Sequence, residues 1–365
     1  MISRARYPLL VISLLTALLA MWAGLARMGW RLPLYSPAWI IAHGPLMISG
    51  FLGTLISLER VVALGRRWMY LAPALSALGA VAMLLGLPQP AVGALMSLAS
   101  LGFLTICAVM LRRLPALFTL TMLLGALAWL AGNLLWWAGL PVYRLVLFWV
   151  AFLALTISAE RLELSRVRRP PRYAEGLFLA VVILLLVGLA LSLAWAEWGT
   201  PLSGLALLAM AAWLLTWDIA RHTVSKAALT RFIAVCMLCG YTWLGLSGVL
   251  ALWFGPVAAG FAYDALLHAF FLGFVFSMIF GHAPIIFPAL LHRPLVYRPL
   301  FYSHLLLLQI SLLLRILGDL GGWLVLRQWG GMLNLIAVLL FLLNTILSLI
   351  LKSKTRDTVT QGEKY

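Results

Sequence analysis

Charge is scarce in this sequence. Asp, Glu, Lys and Arg make up 10% of its 365 residues, while 64% are hydrophobic. A water-soluble domain of this length needs far more polar surface, so hydrophobic side chains must face lipid as well as one another. Cysteine is scarce too: the 3 cysteines all fall inside apolar runs, which excludes a disulfide framework. Negative charge is scarcest, with 10 Asp and Glu against 26 Lys and Arg. No acidic residue falls near a predicted membrane midplane, which weakens any proton- or sodium-coupled transport scheme.

What the chain has in abundance is long apolar runs. Crossing a hydrocarbon core of about 30 Å takes roughly 20 apolar residues in a helix. Runs of this kind fall near Pro8–Ala26, Pro37–Leu58, Trp68–Leu87, Ala91–Leu111, Pro115–Leu140 and Val142–Ala159. Six more follow near Gly176–Ala196, Pro201–Trp217, Leu229–Phe254, Phe261–Leu291, Leu300–Gly318 and Trp323–Leu351. Barrel strands would be shorter and would alternate, so the runs predict helices. The expected fold is an all-α polytopic membrane protein of about twelve transmembrane helices. It forms a single transmembrane domain over residues 1–365, with residues 352–365 as a cytoplasmic tail.

Orientation follows from the cations. With the N-terminus inside, every Lys and Arg except Arg27, Arg31, Arg144, Arg315 and Arg327 falls on the cytoplasmic side. Both termini are therefore expected in the cytoplasm, in a bacterial or archaeal cytoplasmic membrane. The net charge of +16 then reads as short loops facing anionic lipid headgroups, and membrane lipids rather than nucleic acid are the expected contact. The first run follows Met1–Arg6 like a signal sequence but lacks a small-residue cleavage site, so it reads as a retained helix.

The chain repeats itself. Phe51-Leu-Gly-Thr-Leu-Ile-Ser-Leu-Glu-Arg60 in the second predicted helix shares six of ten positions with Phe152-Leu-Ala-Leu-Thr-Ile-Ser-Ala-Glu-Arg161 in the sixth. A fainter echo, Phe271-Leu-Gly-Phe-Val-Phe-Ser277, lies in the tenth. The spacing of four helices points to a pseudo-threefold repeat of four-helix units, near 1–111, 112–221 and 222–351. Glu59 and Glu160 are expected at cytoplasmic helix ends, as interfacial anchors or points of proton entry.

Ionisable groups inside a bilayer are costly, so buried histidines are functional candidates. Of the six, His222 and His292 fall in basic loops and are expected to be solvated. His43 and His268 lie at similar depth in the outer half of two helices that run in the same direction. His282 follows His268 by about four turns, or roughly 21 Å, and pairs in depth with His304 in the inner half. For a single histidine the alternative is an interhelical hydrogen bond. Two facing imidazoles, however, are what six-coordinate haem iron takes on its axial positions. Ala42, Gly44, Ser49, Gly50, Gly53, Ala269 and Gly273 would give a porphyrin clearance, and Phe270, Phe271, Phe274 and Phe276 would line it. Arg315 and Arg327 are candidates for its propionates, with an i,i+4 pair to Asp319 as the alternative for Arg315. Cys236-Met-Leu-Cys239 is a weaker candidate for a soft metal such as copper.

His43-Gly-Pro-Leu-Met-Ile48 resembles the start of helix two in subunit I of haem–copper oxidases, where His-Gly-x-x-Met carries a low-spin haem ligand. The stretch from His268 to Pro284 is similar to that family's helix ten, which carries the opposite ligand. The resemblance implies haem b held by His43 and His268, with Arg315 or Arg327 near its propionates, and a second haem if His282 or His304 binds one. Helices six and seven contain no histidine, so the oxidase copper site has no ligands. The chain thus looks closer to NnrS-type haem proteins linked to nitric oxide metabolism. The implied roles are electron transfer or nitrogen-oxide metabolism, with respiratory-chain subunits or another electron donor as partner. Two other classes remain open. One is a secondary transporter, with Asn133, Asn334 and Asn344 along its path; the other is a structural or assembly subunit of a respiratory complex.

Overall fold

The computed structural model describes residues 5–34 and 36–350; Arg4 and the proposed tail, 352–365, lie outside the described residues. Among these, the chain contains no strand and twelve helices long and apolar enough to cross a membrane. They are α1 (Arg6–Arg27), α2 (Ala38–Leu64), α3 (Arg67–Leu84), α4 (Gln89–Arg113), α5 (Leu117–Trp137) and α6 (Val142–Arg168). The second half adds α7 (Arg172–Ala194), α8 (Ala196–Trp217), α9 (Ala228–Phe254), α10 (Phe261–Leu291), α11 (Phe301–Gly321) and α12 (Leu324–Ile350). The chain is an all-α, multi-pass membrane protein. The boundaries expected between repeat units, 111/112 and 221/222, fall at the end of α4 and in the α8–α9 connection, which carries a one-turn helix at Ala220–Thr223.

Most helix ends follow local chemistry. Prolines precede α4, α6 and α7, where a missing N–H costs nothing. Gly65, Gly255 and Gly322 close α2, α9 and α11 at positive φ, a conformation that L side chains resist. The largest departures from expectation are the C-terminal ends of α2 and α6, which run past Leu58 and Ala159. Glu59-Arg60 and Glu160-Arg161 are therefore inside helices rather than at their ends. Pairing explains how the helices carry these charges. Arg60 donates to Glu160, joining α2 to α6. Arg161 makes a two-pronged bond to Asp218 at the end of α8, at 2.9 Å for both contacts.

Within the strongest apolar window of each helix, 72% of α6 and of α10 is buried, against 33% of α7. The middle of the bundle thus belongs to α6 and α10, while α7 spends most of its surface on lipid. Asn133 ties this interior together. Its side-chain oxygen accepts from Ser49 (2.9 Å) and Trp149 (3.1 Å), and its nitrogen donates to the Met96 carbonyl (3.1 Å). Such bonds satisfy polar groups where water is absent.

α2 and α10 share a feature that α6 lacks. Each opens as an α-helix and then widens into a π-helical stretch, Leu46–Gly53 in α2 and Ala269–Phe276 in α10. Such stretches are rare and cluster at functional sites. Both contain Phe-Leu-Gly, and in both the glycine receives a tryptophan face. A Cβ on Gly53 would strike Trp129, and one on Gly273 would strike Trp243. At the corresponding place α6 has Ala154, and Phe152 stacks on Trp129 at 4.8 Å between ring centres.

Candidate functional site

A cavity of about 700 Å³ opens among α1, α2, the α5–α6 corner, α10, α11 and α12. Its size falls in the range of small-molecule and cofactor pockets. Both outer histidines stand on its wall, as do Arg27, Arg315 and Arg327. The His43 and His268 rings face one another with centres 6.3 Å apart and planes 23° from parallel.

Each ring is held by its Nδ1. His43 Nδ1 lies 2.6 Å from the Ala20 carbonyl of α1, and His268 Nδ1 lies 2.9 Å from the Asp264 carbonyl one turn earlier in α10. A carbonyl can only accept, so both Nδ1 atoms carry the proton and both Nε2 atoms keep a lone pair. Gly24 makes the His43 position attainable. A Cβ there would sit 2.9 Å from His43 Cε1 and 3.0 Å from Nδ1.

Behind His268 lies a four-member ion-pair network. Arg315 donates to both carboxylate oxygens of Asp264, at 2.8 and 2.9 Å, and its Nη2 also lies 3.2 Å from His268 Nε2. Arg327 lies 3.5 Å from Asp264 and 2.7 Å from Asp319. The i,i+4 pair of Arg315 with Asp319 is thus not the one formed: Arg315 reaches across to α10, and Asp319 pairs with Arg327. Asp264 was missed as a site residue because pairing of one carboxylate with two cations and a ring is a tertiary event. Its i,i+4 spacing to His268 is the signal that could have found it.

Several proposed lining residues have other work. Gly53 and Gly273 make room for indoles, and Gly50 packs against Thr16 and Ala80. Ser49 is spent on Asn133, and Ala42 and Ala269 do not line the cavity; the small residues on its wall are Gly24, Gly44, Gly260 and Gly331, with Ala258. Of the four phenylalanines, Phe271 and Phe276 line it, whereas Phe270 and Phe274 do not.

Among the described residues, His282 and His304 make no ring contact with one another. His282 donates from Nδ1 to the Met278 carbonyl (2.8 Å) of its own helix, which continues through Pro284 and Pro288 instead of breaking. Its Nε2 is buried without a partner, within electrostatic reach of Arg161 and Arg60. His304 is buried among Phe232, Phe280, Phe301 and Phe341. The Asn344 amide nitrogen donates to its Nδ1 (3.1 Å), which leaves the proton on Nε2. His304 thus holds the tautomer opposite to that of His43 and His268. His222 and His292 are exposed, as expected of loop residues.

The three asparagines are engaged between helices: Asn133 as above, Asn344 with Ser303 and His304, and Asn334 with Ser311 at 2.7 Å. Cys236 and Cys239 are free thiols. Among the described residues, no group of three or more His, Cys, Asp or Glu side chains is arranged to hold a metal. A protein-only zinc or copper centre needs more donors than the two imidazoles supply, whereas a porphyrin brings four nitrogens of its own.

No curated protein matches the chain. A family model described as a domain of unknown function (DUF8744) matches residues 6–350, nearly the whole sequence, and the chain belongs to that family.

Proposed function

We propose that this protein binds haem b between His43 and His268 and carries electrons at the outer side of a bacterial or archaeal cytoplasmic membrane. The observation that carries the reading is the close pair of imidazoles on one cavity wall, each with Nδ1 bonded to a carbonyl and a lone pair on Nε2, which at His268 accepts from Arg315. The rings stand 6.3 Å apart.

Haem supplies a one-electron iron couple, and the protein's part is to hold and tune it. With His43 and His268 both holding it, the iron would have no open position, which would favour electron transfer over small-molecule turnover and leave the nitrogen-oxide role secondary. Ligation at His268 would require Arg315 Nη2, which is also one prong of the fork on Asp264, to withdraw from Nε2. Arg327 and Arg27 are then within the same cavity wall to meet propionates. The chain lacks a Cys-x-x-Cys-His sequence for covalent attachment, since Gly240 follows Cys239, and this favours haem b. The cation bias favours cytoplasmic termini, and an electron donor or respiratory subunit is the partner this role needs.

The test is an absorption spectrum of the detergent-purified protein from a haem-replete host. A sharp Soret band with split α and β bands on reduction is expected, and protein free of cofactor would sink the reading. Gly24 gives a second check. Gly24→Val should push the His43 ring off the Ala20 carbonyl and lower haem content several-fold. Gly44→Ala, whose Cβ would meet only Val142 at 3.9 Å, should leave haem content near that of the wild type. Equal haem in both variants would show that the placement of His43 does not depend on Gly24.

A further inference from the structure

The two histidines differ in what stands behind them. His43 Nδ1 meets a backbone carbonyl alone. His268 Nδ1 meets the Asp264 carbonyl and also lies 3.3 Å from the Asp264 carboxylate. That carboxylate cannot swing away, because the Arg315 fork holds both of its oxygens and Arg327 flanks one of them.

We propose that Asp264 is a positioning residue that strengthens His268 as an electron donor to iron and so holds the iron toward the ferric state. The proposal rests on the haem reading above. A carboxylate at the far nitrogen of a ligating histidine draws on the Nδ1–H proton and raises the basicity of Nε2. The more basic ligand stabilises the higher charge of ferric iron. The charged groups around the site are Arg315, Arg327 and Asp319, with Arg27 further along the cavity wall. Asp264 is the carboxylate of this network that touches His268, so its effect on iron is directed through that ring.

The experiment is redox titration of the haem-loaded protein and of Asp264→Asn and Asp319→Asn. Asparagine at 264 keeps the shape and the backbone carbonyl but removes the charge. The ferrous-to-ferric ratio at a fixed ambient potential should rise about tenfold, equivalent to about 59 mV for one electron. Asp319→Asn alters the same network without touching His268, and a clearly smaller rise is expected. Equal rises in the two variants would overturn the proposal in favour of a simple field effect, and no rise in Asp264→Asn would overturn it outright. If Asp264→Asn does not fold, paramagnetic resonance of the ferric wild type decides. A strengthened donor lowers the largest g value below that of two neutral imidazoles, and the neutral-imidazole spectrum would overturn the proposal. Wild-type protein without haem would instead defeat the haem reading itself.

Discussion

Replacing His43 or His268 with alanine is expected to remove nearly all of the low-spin haem signal, and to do so in each single variant. The reason is that the cavity offers no other imidazole. His282 is roughly 21 Å further along α10 and does not line the cavity. His304 carries its proton on Nε2 inside a phenylalanine cage. A six-coordinate iron that loses one axial ligand turns high-spin or loses haem altogether, and both outcomes shift the Soret band. His282→Ala and His304→Ala should keep the low-spin spectrum, as should His222→Ala and His292→Ala in the exposed loops. The measurement is the reduced-minus-oxidised spectrum and haem content per chain of all six variants. A low-spin spectrum that survived in both His43→Ala and His268→Ala would rule out this pair as the ligands. Loss confined to His282→Ala or His304→Ala would move the site to the inner half.

The twelve spans were legible because each is a single apolar run between charges or turn residues, and a bilayer leaves a chain no alternative to helix. The outer histidine pair was legible for a related reason: depth follows from residue number once the spans are known. What the sequence could not reveal was who pays for each buried charge. Arg315 reaches Asp264 on another helix instead of Asp319 on its own. Glu160 and Arg161, adjacent in sequence, turn to partners on opposite sides, Arg60 in α2 and Asp218 at the end of α8. The same limit applies to glycine. Gly53 and Gly273 looked like clearance for a ligand and serve as seats for Trp129 and Trp243, while Gly24, in a helix with no motif, is the one that admits His43. The π-helical stretches after His43 and His268 carry no local sequence signal, since they depend on how the neighbouring helices pack.

Asp218→Ala is expected to cause the largest loss of stability of any single change outside the cavity. Asp218 is fully buried and Arg161 is 4% exposed, and the two are joined by a fork of two 2.9 Å bonds. Asp218 also accepts the Ala220 N–H at 2.7 Å, which anchors the α8–α9 connection. Removing the carboxylate leaves a guanidinium that water cannot reach, and stranding one half of a buried pair costs about 3–5 kcal/mol. Removing both charges is different, because the stranded ion is what is costly. Arg161→Met combined with Asp218→Leu should therefore recover most of the loss. Glu160→Ala should cost less than Asp218→Ala, since Arg60 and Glu160 retain 14% and 21% side-chain exposure and solvent offsets part of the lost pairing. Thermal unfolding followed by tryptophan fluorescence, in one detergent and at one pH, ranks the variants. An unchanged midpoint in Asp218→Ala, or a double variant as unstable as the single one, would show that the fork does not hold α6 to α8. Haem content in the double variant should match the wild type, because this ion pair lies at the end of the bundle opposite the His43–His268 cavity.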